Sequence, residues 1–168
     1  MKKRLIIVLV LICMLGLVAC DPGVNHLHKD ELLANTVKIE LYNYENENPK
    51  LLRISAKKKP HFDFTKATLM ATLDESRFED IIEDVAADDY LVFGTALNEP
   101  MGKTLVLFQN NGNMIVLFGC TYTNKNNKTF YYGDCYVFDN NGVFVEHVGD
   151  VDQLFGDWVE STYFQNNQ

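Results

Sequence analysis

The stretch Leu105-Val106-Leu107-Phe108-Gln109-Asn110-Asn111-Gly112-Asn113-Met114-Ile115-Val116-Leu117-Phe118 decides the fold. Two apolar runs flank an Asn-Gly pair, whose residues accept the positive φ of a type I′ turn, so the segment predicts a β-hairpin. The same device recurs at Asp139-Asn140-Asn141-Gly142, between Tyr136-Val137-Phe138 and Val143-Phe144-Val145. A polar loop over 124–128 joins the two hairpins, which makes this half of the chain an antiparallel meander. Along its second strand Met114, Val116, Phe118 and Tyr122 share one face, with Ile115 and Leu117 on the other. A sheet wetted on one side alternates apolar with polar residues, so this one requires cover on both.

Toward the amino terminus, Val37, Ile39 and Leu41 alternate with Lys38, Glu40 and Tyr42, the period of a half-buried strand. Residues 45–49 read as a turn, 51–54 as a returning strand and 66–73 as another strand. Asp74 offers a helix N-cap. Phe78, Ile81, Ile82 and Val85 follow at i, i+3, i+4 and i+7, which predicts an amphipathic helix. After Asp150, Val151, Leu154, Phe155, Trp158 and Val159 predict a second one ending near Tyr163, with 165–168 as a frayed tail. The sum is a single α+β domain over 36–164, a mostly antiparallel sheet packed by two amphipathic helices.

The chain has 168 residues, 47% of them hydrophobic, which suits one domain with a modest core and excludes a disordered polymer. A formal charge of −8 argues against nucleic acid, whose phosphates require clustered Lys and Arg. Between Asp74 and Asp89 eight acids face one base, Arg77. The oxygens lack the alternating order and Gly turn of a calcium loop. Glu79, Asp80, Glu83 and Asp84 therefore form either a solvated helix face or a surface for a basic partner. Lys57-Lys58-Lys59 admits the same two kinds of reading, a solvated loop or an anionic-lipid patch.

The first residues carry an address. Met1-Lys2-Lys3-Arg4 precedes an apolar run from Leu5 to Leu15 and then Gly16-Leu17-Val18-Ala19-Cys20, the plan of a secretory signal. The apolar length from Leu5 to Ala19, about 22 Å as a helix, falls short of a ~30 Å hydrocarbon core. Leu17-Val18-Ala19-Cys20 resembles the lipobox of bacterial prolipoproteins. That resemblance implies diacylglyceryl transfer to the Cys20 thiol, cleavage after Ala19, removal of 1–19 as a leader, and anchoring at the extracytoplasmic face of the cell membrane. Physically, one acyl chain binds marginally and two hold firmly. Removing the leader takes three bases and no acids, leaving 12 Lys+Arg against 23 Asp+Glu, a charge of −11. Residues 20–35 then read as a tether reaching at most about 50 Å beyond Cys20. Within it, His26 and His28 make a poor metal pair, because a mobile segment lacks fixed geometry.

With Cys13 in the leader and Cys20 acylated, Cys120 and Cys135 remain. Strands pairing about a centre near 127.5 would set them face to face, so a disulfide is expected, with free buried thiols as the alternative. No G-x-S-x-G, H-E-x-x-H or phosphate-binding glycine loop occurs. His61 and His147 lack sequence-level partners, and Glu146 and His147 point to opposite faces of a strand. Tyr42 and Tyr44 form either a recognition face or core. The sequence thus leads to a non-catalytic, lipid-anchored binding or accessory protein, similar to the small lipoproteins of monoderm bacteria. It has no cofactor beyond the diacylglycerol on Cys20, no metal ligands and no nucleic-acid partner. The alternatives are an inhibitor or immunity-type protein using the acidic helix, and a small cell-envelope hydrolase with a polar pocket around His61 or His147.

Overall fold

The computed structural model describes residues 24–44, 61–87, 90–91, 99–123, 126, 129–152 and 160–164. The leader, Cys20, the turn at 45–49, the strand at 51–54, the Lys57–Lys59 run and the tail at 165–168 lie outside the described residues.

Strand β1 (Val24–Asn25) and helix α1 (Lys29–Asn35) precede the long strand β2 (Thr36–Tyr44). Then come β3 (Ala67–Thr72), α2 (Phe78–Ala87), β4 (Tyr90–Leu91), β5 (Glu99–Gln109), β6 (Met114–Thr123), β7 (Thr129–Phe138) and β8 (Phe144–Asp152). Among the described residues eight strands join one sheet in the order β1-β4-β8-β7-β6-β5-β2-β3, with antiparallel pairings throughout. The chain is therefore α+β, and β5 to β8 form the expected meander.

The two hairpin turns differ from the type I′ expectation. Gly112 N–H donates to the Gln109 carbonyl, and Gln109 N–H to Asn113. Gly142 and Asp139 repeat these two bonds with Asp139 and Val143. Each loop thus has three residues, with Gly at positive φ (86° and 75°) closing it as a bulge. Asn111 Oδ1 and Asp139 Oδ1 accept the next free backbone N–H groups and so select this geometry.

Two cores lie on opposite faces of the sheet. Ile39, Leu41, Leu105, Leu107, Ile115, Leu117 and Cys135 face Leu32 of α1 and Ile81, Ile82 and Val85 of α2. Val106, Met114, Val116, Phe118, Tyr136 and Phe138 form the other face with Tyr42, Tyr44 and Phe62. The apolar β6 pattern required cover on both faces, and both are buried. Asp74 Oδ1 caps the turn leading into α2 by accepting from Ser76 N and Oγ, as its sequence position suggested.

Three expectations are corrected. The tether over 20–35 is folded from Val24 onward, with Leu32 4% exposed and Asn25 Nδ2 donating to the Val148 carbonyl at 2.7 Å. The second helix, expected from Val151, does not begin there, because Val151 and Asp152 end strand β8. Residues 153–159 lie outside the described residues, and Glu160–Phe164 form one helical turn whose Thr162 and Tyr163 carbonyls accept from Arg77. The disulfide is not formed. The β6–β7 register is centred on position 126 rather than 127.5, so Cys120 pairs with Tyr132 and Cys135 with Leu117. Cys135 is a free, fully buried thiol. Burial first, then Asp134 and Glu146, holds its pKa well above 9.0 and keeps it unreactive.

Candidate functional site

The polar cluster lies where β7 and β8 pair. Asp134 is opposite Asp150, and Tyr136 is opposite His147. His147 and Asp150 are three residues apart, so a regular strand would send them to opposite faces. A bulge between these pairs, with Gly149 at φ 146°, breaks the alternation and brings both to the Asp134 side. One ligand atom from each of Asp134, His147 and Asp150 lies within 4.8 Å of the others.

Hydrogen bonds fix the cluster. His147 Nε2 donates to Asp134 Oδ1 at 2.8 Å, and Tyr136 Oη donates to Asp134 Oδ2 at 2.6 Å. Asp134 is 2% exposed, Asp150 9% and the His147 side chain 15%. Burial opposes an imidazolium here, yet the hydrogen bond and charge of Asp134, with Asp150 behind it, outweigh that and raise the His147 pKa above 6.5. The Tyr136 ring lies against the imidazole with centroids 4.7 Å apart, which restricts its rotation. Chemically the group offers two carboxylates, one imidazole and an orienting phenol.

Sequence reasoning missed this grouping because it depends on a bulge and on cross-strand register. The available signal was Gly149 inside an otherwise strand-like run, since strand glycines often mark bulges. His61 stands elsewhere, exposed and in an isolated bridge to Val143. Glu146 is exposed on the face opposite His147, as alternation required.

The acidic helix face is solvated and already partly neutralised from within. Lys29 Nζ lies 3.0 Å from Glu83 and 3.3 Å from Glu79. Arg77 Nε lies 3.9 Å from Asp80. Burial, then Glu83 and Asp80, raises the pKa of the half-buried Asp84. Tyr42 and Tyr44 do not form a recognition face. Each is 8% exposed, covered by Phe62, whose ring stacks on Tyr44 at 5.0 Å. Tyr44 Oη accepts the Asp63 N–H, and Tyr42 Oη donates to the buried Glu40 carboxylate. His26 and His28 immediately precede α1 and line a depression with Asp30 and Glu83. No helix among the described residues is long and apolar enough to cross a membrane. The class these features define is an α+β protein built on one antiparallel sheet with a buried carboxylate–imidazole cluster. No family model, curated protein or solved structure matches the chain.

Proposed function

We propose that the chain is a non-catalytic binding or accessory module, held at the extracytoplasmic face of the cell membrane by diacylglycerol on Cys20. The carrying observation is the run Leu17-Val18-Ala19-Cys20, followed within four residues by the first residue of the folded sheet, Val24. A leader and an acylation site directly before a folded domain is the arrangement an anchored protein requires. The tether is then far shorter than the sequence suggests. Cys20 to Val24 spans at most about 14 Å, so the domain works against the headgroups.

The test is the mass of the amino-terminal peptide from membrane-purified protein. It is expected to begin at Cys20 with a diacylglyceryl group, and Cys20→Ala is expected to leave an unprocessed, non-acylated chain. A processed wild-type chain with an unmodified Cys20, or one cut elsewhere, overturns the proposal.

A second reading, binding of a basic partner through α2, draws on the exposure of Glu79, Asp80 and Glu83, each at least 64% exposed in its side chain. Lys29 weakens it by occupying two of those carboxylates. Under this reading, charge reversals at Glu79 and Glu83 would weaken a salt-sensitive complex.

A further inference from the structure

We propose that Asp134, His147 and Asp150 bind one divalent transition-metal ion of the zinc class. This goes beyond the anchored-module proposal and does not depend on it.

Asp134 and Asp150 are directly opposed carboxylates on neighbouring strands, 2% and 9% exposed. Like charges opposite one another destabilise a strand pair, and burial increases the cost. Within the three residues themselves, the imidazolium of His147 supplies at most one positive charge against two carboxylates. A divalent ion taking the place of the His147 proton would balance the carboxylates.

Geometry then fits the charge. Bonds of ~2.0–2.2 Å to nitrogen and oxygen in a tetrahedral site set the donors on one ion roughly 3.4 Å apart. The three donor atoms lie within 4.8 Å of one another, so rotation of the side chains would bring them to that spacing around one ion. His147 Nε2 and Asp134 Oδ1 already face each other at 2.8 Å. The Tyr136 hydroxyl, bonded to Asp134 Oδ2, is placed as an outer group that orients a ligating carboxylate. An imidazole among the donors favours zinc-class ions over magnesium or calcium, which take oxygen ligands. Three protein donors would leave a coordination position for water or a ligand's oxygen.

Titration of the EDTA-stripped full-length chain, in detergent, with Co²⁺, Zn²⁺ and Mg²⁺ tests this. One Co²⁺ per chain is expected, with a visible absorption band, displaced by Zn²⁺ but not by Mg²⁺. His147→Gln and Asp150→Asn should each weaken Zn²⁺ binding at least about 100-fold, and Tyr136→Phe about tenfold, the scale of an outer-shell contact. The double variant His26→Asn/His28→Asn should bind as the wild type does. Absence of a saturable Co²⁺ band in the wild type overturns the proposal and leaves a structural Asp134–His147 pair. Loss of binding in the His26/His28 variant, equal affinity for Mg²⁺ and Zn²⁺, or unchanged binding in His147→Gln overturns it as well. Should Asp150→Asn fail to fold, the wild-type titration and Tyr136→Phe still decide.

Discussion

Gly142 sits at φ 75°, and a Cβ there would collide with the Phe62 carbonyl oxygen. The approach is close because Phe62 N–H donates to the Gly142 carbonyl, tying the 61–64 segment across the second hairpin. Gly112 has the same conformation, at φ 86°, but its Cβ would meet only Asn140 Nδ2 at 3.9 Å. Gly112→Ala should therefore cost only the left-handed penalty, about 1–2 kcal/mol. Gly142→Ala should cost clearly more, since backbone must also move and Phe62 must leave its ring contacts. Urea unfolding of both variants checks this, and equal losses would detach Phe62 from the stability argument. In the same turn, Asp139 Oδ1 accepts from Val143 N and Asn141 N. The Val143 bond leads the effects that hold its pKa below 3.8. A carboxyl depressed in the folded state stabilises above its unfolded pKa, and that contribution fades as pH falls through the folded value. Stability should thus fall from about pH 4 downward, and Asp139→Asn should flatten that slope while leaving its shape above pH 6 unchanged.

Helix α1 shows how far local sequence can mislead about an element. Residues 21–35 carry Pro and Gly at the start and scattered charges, so the segment reads as a linker. Its membership of the fold rests on two tertiary facts: Leu32 enters the helix-side core, and Lys29 bridges Glu79 and Glu83 on α2. Neither leaves a periodic signal in seven residues. By contrast α2 was legible, because Phe78, Ile81, Ile82 and Val85 form one stripe and Asp74 a cap. The meander was legible for a similar reason, since apolar runs and NNG turns are local. What was not legible depends on register: the Cys120–Cys135 offset and the His147–Asp150 pair both follow from strand alignment, which a one-residue slip inverts. The consequence for α1 is measurable. Leu32→Ala should destabilise the whole domain by about 2–5 kcal/mol in a single cooperative transition. Lys29→Ala, which removes only two surface ion pairs, should leave the unfolding midpoint nearly unchanged. A Leu32→Ala variant as stable as the wild type would return the segment to the status of a linker.

At the scale of the whole molecule, the edge position of β1 has a consequence for orientation. Among the described residues, strands β1 and β3 stand at the two ends of the eight-strand order, separated by seven strand spacings, or about 34 Å. Under the proposed acylation of Cys20, four residues before Val24, the β1 edge would be held within about 14 Å of the bilayer surface and the β3 edge would project away from it. Charge acts in the same sense. Removal of the proposed leader would leave a charge of −11, so anionic headgroups would repel the domain and oppose its lying flat. Strand β3 would then present Leu69 and Met70, 51% and 43% exposed, at its far end rather than to lipid. A label placed at Asp30→Cys, beside the anchor, and another at Leu69→Cys compare the two edges directly. Cys135 is buried and should not compete for the reagent, and Cys120→Ser in both labelled variants removes the other thiol. In vesicles carrying a headgroup-bound quencher, the Asp30 label should be quenched strongly and the Leu69 label weakly. The difference should shrink when a flexible insert of about twelve residues separates Gly23 from Val24, because the longer tether frees the β1 edge from the surface. Equal quenching at both positions without the insert would mean that the anchor does not orient the sheet.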